Sequence, residues 1–219
     1  MTISIARRIA ACALVAALGV AGCGRDDDDG GGGGSGGEPK ATTGFDGKTI
    51  KLGVLTPLSG PVAVIGLPLT AGNQVWFDKL NAAGGIAGKY KVQLVERDTR
   101  YDAPTAVQGY NRLKGDVAAF AQILGTGIIQ AVLPQLKRDK VVAGPATLDS
   151  AWVREPNLTP VSAPYQVQAA NAMFYYLRTE GKGGGKRICG VFQDDGYGEA
   201  GHEGITFAAE KLGLKLAAD

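Results

Sequence analysis

The chain has 219 residues, of which 45% are hydrophobic and 20% charged, with a formal net charge of +2. Arg7 and Arg8 lie in an amino-terminal leader that carries no acidic residue, so the chain without residues 1–22 has a net charge of zero. A neutral chain has no electrostatic means of holding a phosphate backbone, which excludes a nucleic-acid-binding protein.

The first 22 residues have the pattern of a secretory signal peptide. Arg7 and Arg8 precede an uncharged run that ends at Val20, and this run is too short to cross a membrane. The following residues 20–23, Val-Ala-Gly-Cys, resemble a bacterial lipobox, in which the cysteine is lipidated and becomes the new amino terminus. We therefore expect cleavage after residue 22, a lipid anchor on Cys23, and an extracytoplasmic protein held at the cell membrane.

Residues 23–47 are expected to form a tether, because they contain an aspartate run and a glycine run and offer almost no apolar side chain to bury. Of the three cysteines, Cys12 leaves with the signal peptide and Cys23 is assigned to the lipid. Cys189 is then alone, which excludes an internal disulfide. It lies in a strand-like run, where we expect a buried small side chain.

Short apolar runs alternate with longer amphipathic ones from residue 48 onward, which predicts an α/β fold with a parallel sheet. A first unit over residues 48–160 contains the four predicted strands 49–55, 90–96, 117–124 and 141–143. Its three predicted helices cover residues 66–82, the segment from 102 to about 114, and 128–138. Leu69, Gly72, Trp76 and Leu80 share one face of the first helix, and Ala106, Val107, Tyr110 and Leu113 share the buried face of the second.

A second unit is predicted over residues 161–219, after an irregular crossing with three prolines. It contains a helix over 165–178, a strand over 186–193, a helix over 198–212 and the start of a strand at 214. One complete strand is too little to close a core, so we expect this unit to be incomplete and the sequence to be a fragment.

Candidate ligand contacts lie in the loops that follow the predicted strands, because open parallel sheets bind ligands at the carboxyl ends of their strands. These loops are rich in glycine and hydroxyl side chains, which present N–H and O–H groups suited to a carboxylate. Any one of these loops is better explained as an ordinary turn or helix cap, and only their recurrence at four equivalent strand ends makes ligand binding an equal alternative. Ser59 lies in the first of these loops, and Tyr165 begins the helix that opens the second unit.

No catalytic or metal-binding pattern was found. Outside the glycine run of the tether the sequence has no nucleophile-elbow pattern and no Walker loop, and no Gly-x-Gly-x-x-Gly follows the first strand. The only histidine, His202, has no cysteine or second histidine near it and is expected to be a surface or packing residue. Asp194 and Asp195 are expected to cap a helix. We therefore expect no catalytic residues, no metal and no cofactor.

Three segments resemble the periplasmic binding proteins of the leucine/isoleucine/valine type. They are residues 50–61 (IKLGVLTPLSGP), the helix end at 81–86 (NAAGGI) and residues 193–198 (QDDGYG). The resemblance extends from about residue 48 to the last residue. It implies a two-lobed protein of type I architecture that closes on a small ligand, an amino acid above all, and delivers it to the permease subunits of an ABC importer. We expect a monomer.

The resemblance also implies site residues. In that family the amino-acid carboxylate and amino groups meet the loops after the third and fourth strands, which correspond to Thr126 with Gly127, and to Ala146 with Thr147. An aromatic residue of the second lobe closes over the ligand, and Tyr197 has that position.

The sequence departs from the family pattern at three places. The loop after the fourth strand is about one residue out of step, and Ile65 stands where many relatives have an aromatic residue. Tyr101 and Gly125 occupy the positions of a disulfide found in some relatives. These changes bear on the identity of the ligand more than on the fold.

Two other functions are compatible with such a chain. A ligand-sensing module of a receptor or regulatory system would use the same two-lobed fold, although the lipobox argues against an integral receptor. An exported enzyme on a doubly wound sheet is the third alternative, since fold alone does not decide function. The absence of triads and metal clusters argues against it.

Overall fold

The computed structural model describes residues 39–180, 189–214 and 216. The predictions of a signal peptide, a lipidated Cys23 and most of the tether lie outside these residues. Among the helices described, none combines the length and the apolar character needed to cross a bilayer.

Four parallel strands form the sheet, as the sequence predicted. They are β1 (Thr49–Thr56), β2 (Lys91–Asp98), β3 (Ala119–Leu124) and β4 (Ala143–Ala146), in the order β2-β1-β3-β4. Thr56 pairs with Asp98, and Leu124 pairs with Ala146, so the strands end together at one edge. All the loops that the sequence singled out for ligand binding in this part of the chain therefore leave from the same edge.

The helices are α1 (Ala63–Ala82), α2 (Ala103–Leu113), α3 (Thr126–Asp139), α4 (Tyr165–Tyr175) and α5 (Gly196–Leu212). A short 3-10 helix (Ser150–Arg154) follows β4, and a π-helical turn (Tyr176–Glu180) extends α4. Pro134 lies inside α3 without ending it. We refer to residues 48–160 as the sheet region, and to α4 with α5 as the helix pair.

The main hydrophobic core lies between the sheet and helices α2 and α3. Tyr110 stacks on Phe120 with ring centroids 5.3 Å apart, and Leu55, Ile123 and Ile129 are fully buried around them. The predicted buried face of α2 is confirmed. Burial of this apolar surface is the main force that holds the sheet region together.

Helix α1 lies on the opposite face of the sheet and is attached by polar contacts. Thr56 follows Leu55 in β1, so its side chain points away from the main core. The amide Nε2 of buried Gln122 donates to the hydroxyls of Thr56 (2.9 Å) and of Thr70 in α1 (3.1 Å). Its Oε1 accepts from Asn73 of α1 at 2.5 Å.

The apolar face predicted for α1 exists, but it is turned toward solvent. Trp76 is 62% exposed and Leu69 is 40% exposed, whereas the buried residues of the helix are Gly66 and Thr70. The reason is the position of Gly66: a Cβ there would lie 2.0 Å from the carbonyl oxygen of Pro57. This close approach turns the small and polar side of α1 toward the sheet.

The predicted strand over residues 186–193 is wrong for its described part. Residues 189–193 form no strand, Val191 is 98% exposed, and Cys189 is exposed instead of buried. No strand in the described part of the chain lies beside this segment, and a parallel strand requires hydrogen-bonded neighbours. Leu214 likewise belongs to no strand.

The helix pair has a small apolar core of its own. Ala170, Met173 and Leu177 of the α4 segment pack with Ala208 of α5. The two helices are in tight contact at Gly204, where a Cβ would lie 2.3 Å from the carbonyl oxygen of Gln166. The spacing of the pair is therefore set by a glycine.

Candidate functional site

The carboxyl ends of β3 and β4 bring Thr126 and Thr147 together. Thr126 is the first residue of α3, two residues after β3 ends, and Thr147 directly follows β4. Their hydroxyl oxygens lie 2.5 Å apart, and each residue is 1% exposed. Ala146, the last residue of β4, and Gly127, in the first turn of α3, flank this hydroxyl pair.

The amino terminus of α3 has no side-chain cap, unlike those of α2 and α5. Asp102 accepts a hydrogen bond from the N–H of Thr105 at the start of α2, and Asp195 accepts from the N–H groups of Tyr197 (2.9 Å) and Gly198 at the start of α5. At α3 the N-cap is Gly125, which has no side chain to offer. The first N–H groups of a helix need acceptors, so this terminus is suited to an anion.

Ser59 lies at the same edge but is bonded to a neighbouring loop. Its hydroxyl donates to Asp98 Oδ2 at 2.5 Å, and Asp98 Oδ1 accepts from the N–H groups of Leu58 and Arg100, both at 2.9 Å. Burial raises the pKa of Asp98, but the hydrogen bonds from Ser59 and these N–H groups outweigh it, and the pKa lies below its usual value. Ser59 thus joins the loops after β1 and β2.

Tyr165 and Tyr197 form an aromatic pair where the helix pair meets the sheet region. Tyr165 begins α4, and its N–H donates to the carbonyl of Leu148, the residue after Thr147. Tyr197 lies in the first turn of α5. The two rings are 4.8 Å apart and nearly perpendicular, at 86°, an edge-to-face arrangement.

The starts of α3 and α5 lie against each other. A Cβ built on Gly196 would be 3.1 Å from Cγ2 of Thr126 and 2.9 Å from Nε2 of Gln130. The hydroxyl pair and the tyrosine pair therefore belong to one place, between the sheet region and the helix pair. Ser59, also predicted from the sequence, belongs to neither pair, because its hydroxyl donates to Asp98.

Tyr101 was not predicted as a site residue, yet it lies beside this place. A Cβ on Gly125 would come within 2.8 Å of Cε2 of the Tyr101 ring. Arg100 and Tyr101 both have left-handed backbone conformations, with φ of 51° and 60°. Such conformations are uncommon outside glycine and follow no simple sequence pattern, so periodicity could not have found this residue.

Two cavities flank the site. One of about 400 Å³ lies between the 3-10 helix and α5, and Arg154, Glu199 and Glu203 are among its lining residues. Another of about 260 Å³ is lined in part by Tyr165 and Tyr197. Neither is lined by Thr126 or Thr147, because the starts of α3 and α5 are in contact there.

His202 and Asp195, for which the sequence predicted no catalytic role, lie at a surface position and at a helix cap. His202 is exposed, with its ring 5.2 Å from that of Phe192. In the described ranges, no three histidine, cysteine, aspartate or glutamate residues form a group that could hold a metal ion. Asp195 caps α5, as predicted for this pair of acids.

Comparison with known proteins gives relatives of one kind. The chain is 27% identical over 180 residues to a Leu/Ile/Val-binding protein homolog of Brucella melitensis, a match that covers 80% of this chain and 48% of the relative. A solved fatty acid ABC transporter substrate-binding protein from Thermomonospora curvata is 29% identical, with a TM-score of 0.76 over 81% of this chain and 45% of that one.

A third relative has the same fold at lower identity. The branched-chain amino acid ABC transporter protein from Thermus thermophilus, solved with bound valine, is 20% identical, with a TM-score of 0.66 over 78% of this chain and 44% of that one. The chain thus spans about half the length of the relatives it matches. The sequence pattern of the periplasmic binding proteins matches residues 49–219. This match confirms the resemblance seen in the sequence, and the chain belongs to the periplasmic binding protein family.

Proposed function

We propose that this chain is part of an extracytoplasmic substrate-binding protein of an ABC importer, which binds a small carboxylate, such as an amino acid, at the start of α3. The sheet region would be the first lobe and the helix pair part of the second. Binding without catalysis is part of the proposal. The observation that carries it is the uncapped, buried amino terminus of α3 beside the hydroxyl pair of Thr126 and Thr147.

The hydroxyl pair has one hydrogen-bond donor to spare. A hydroxyl carries a single proton, and the bond between Thr126 and Thr147 uses only one of the two. The other proton, together with the N–H groups of the first turn of α3, can be donated to a carboxylate. Donors fixed before the ligand arrives cost little ordering entropy on binding.

The tyrosine pair supplies the opposite wall. Because Thr126 is buried under the start of α5, the helix pair must move away before a ligand can reach it. On closing, Tyr165 and Tyr197 would cover the non-carboxylate part of the ligand with apolar ring surface. This is a binding site that opens and closes between two lobes.

Two relatives support the ligand class. The Brucella homolog is named for leucine, isoleucine and valine, and the Thermomonospora protein for fatty acids. These compounds share a carboxylate attached to an aliphatic body. We propose the amino acid as the ligand, with a fatty acid as the second candidate because of the 29% identity to the Thermomonospora protein.

Calorimetry with matched compounds tests the proposal. L-Leucine and octanoate are compared with L-leucinamide and octanamide, which lack the negative charge. One of the two acids should bind, and its amide should bind about 10- to 100-fold more weakly, the value of a hydrogen bond to a charged group. Thr126→Val should produce a loss of similar size, whereas Thr43→Val, at an exposed position, should not. Equal binding of acid and amide would contradict a carboxylate site.

We further propose that the mature protein is anchored through Cys23 and delivers its ligand to permease subunits in the membrane. A lipid-modified cysteine bears two or more acyl chains, which hold a protein stably on a bilayer, whereas one chain does not. Mass spectrometry of the mature protein is expected to find a lipidated residue 23 as the amino terminus. An unmodified amino terminus elsewhere in the tether would show that the anchor is absent.

A further inference from the structure

The end of the sheet region opposite the candidate site carries a surface of basic side chains. Each helix that joins two parallel strands ends where the next strand begins, so α1, α2 and α3 all end beside the amino ends of the strands. Lys91, at the start of β2, donates to the carbonyl of Asn81 near the end of α1. Lys114, directly after α2, pairs with Asp139 at the end of α3 at 2.8 Å. We call this surface the basic end; its exposed members are Lys48, Lys79, Lys89, Lys91, Arg112 and Lys140.

The positive charge of the basic end is only partly balanced by its own acids. Its six exposed members form no ion pair with any described residue. Lys114 and Arg138 share the single carboxylate of Asp139, which leaves a further positive charge there. The acidic residues at this end that remain outside ion pairs are Asp46, Asp78 and Asp116. The loops at the opposite edge of the sheet are rich in acids, with Asp98, Asp102, Asp149 and Asp195. A mature chain with no net charge thus has a positive end.

Helix dipoles explain some of these basic residues and not others. Lys79, Arg112 and Lys140 lie at the ends of helices, where a positive charge stabilises the helix. Lys48 directly precedes β1, and Lys89 lies in the turn before β2. No helix end requires a cation at these two positions. The basic end therefore carries more charge than helix capping accounts for.

The chain also enters the sheet region at the basic end. The carbonyl of Gly44 accepts from the N–H of Lys51 in β1 at 2.7 Å. The ring of Phe45 packs edge-to-face on Tyr90, with ring centroids 5.2 Å apart. These contacts fix residues 44 and 45 beside the starts of β1 and β2. A glycine-rich chain as long as residues 24–38 has an end-to-end distance of about 20 Å, so a lipid on Cys23 keeps this end close to the bilayer.

We propose that the basic end is a membrane-facing surface that lies against the headgroups of anionic phospholipids. The inference rests on the proposed function, because the anchor at Cys23 supplies the nearby bilayer. Each lysine or arginine close to an anionic bilayer adds to the attraction. With this end on the membrane, the edge that carries Thr126 and Thr147 points away from the bilayer, into the solvent that contains the ligand.

Co-sedimentation with vesicles tests the surface on a form of the mature chain that carries Cys23→Ser and so has no lipid. This form should bind vesicles with about one-third phosphatidylglycerol and should not bind pure phosphatidylcholine. Raising the salt from about 0.01 M to about 0.1 M shortens the screening length from about 30 Å to about 10 Å, so binding should weaken. The variant Lys48→Gln/Lys89→Gln/Lys140→Gln should bind about 10- to 100-fold more weakly.

Arg97→Gln/Arg178→Gln/Lys211→Gln is the matched control, because it removes the same charge from exposed positions outside the basic end. It should bind anionic vesicles like the parent form, and equal melting temperatures show that both variants fold. Equal losses in the two variants would overturn the proposal, since net charge and not the basic end would then decide binding.

Two other results would also overturn the proposal. One is the failure of the parent form to bind anionic vesicles at low salt. The other is binding that appears only after the aspartates at 26–29 are changed to asparagine, which would assign the basic end to the tether. Neither result depends on lipidation or on a ligand. Mass spectrometry of residue 23 and calorimetry therefore test the proposed function separately.

Discussion

Gly204→Ala is expected to push α4 and α5 apart and to destabilise the helix pair by about 3 kcal/mol, the upper range for overpacking a tight contact. The added Cβ would lie 2.3 Å from the carbonyl oxygen of Gln166 and 2.9 Å from Cβ of Ala169, and backbone atoms cannot move aside as a flexible side chain can. Urea unfolding together with hydrogen exchange across both helices measures the effect. Binding should weaken as well, because the pair carries Tyr165 and Tyr197.

Gly201→Ala is the matched control, three residues earlier in the same helix. The nearest neighbour of a Cβ there is Phe192 Cδ1 at 3.8 Å, an ordinary van der Waals contact. Alanine in place of glycine inside a helix then gains up to about 1 kcal/mol from helix propensity. The same substitution should therefore have opposite signs at the two positions. Equal effects at both would show that the close approach of α4 and α5 does not limit this packing.

The sheet region was largely predictable from the sequence, because its first three strands lie on the short apolar runs and its helices on the longer amphipathic ones. The fourth strand was placed too early: β4 (Ala143–Ala146) shares only one residue with the predicted strand 141–143. The buried face of α2 was correct, since its apolar residues meet a sheet that the same chain supplies. Periodicity alone could not orient α1. Its burial is decided by the contact between Gly66 and the Pro57 carbonyl and by hydrogen bonds to Gln122, neither of which changes the apolar pattern.

The segment around Cys189 shows the other limit of sequence patterns. An apolar run forms a strand only if a neighbouring strand pairs with it. The described residues include no strand that pairs with residues 189–193. The exposed Cys189 and Val191 follow from this missing pairing. The strand propensity of this segment is therefore not enough to form a strand where no neighbouring strand pairs with it.

Part of the candidate site could also be read from the sequence. Thr126 and Thr147 follow strands of one parallel sheet, so topology alone brings them to the same edge. The sequence could not show that the two hydroxyls are 2.5 Å apart or that α5 covers Thr126. Tyr101 was missed because the left-handed conformation at two successive residues depends on hydrogen bonds that the N–H groups of Arg100 and Tyr101 donate to Asp98 and Thr99.

Gln122→Met is expected to lower the free energy of unfolding by about 3 kcal/mol, because methionine has nearly the same volume and cannot replace the hydrogen bonds. Gln122 is 1% exposed, and its amide serves Thr56, Thr70 and Asn73 at the same time. Buried hydroxyls left without a partner cost about 1–3 kcal/mol each, partly relieved where they rotate toward another acceptor.

The same change should also loosen α1 specifically, since few apolar contacts hold this helix: only Gly66 and Thr70 among its residues are buried. Hydrogen exchange should therefore become faster along α1 well before it changes in α2 and α3, which are packed in the main core. Gln93→Met, at an exposed position of β2, is the matched control and should stay within about 0.5 kcal/mol of the original protein. If both variants unfold at the same urea concentration, apolar packing and not the Gln122 network attaches α1 to the sheet.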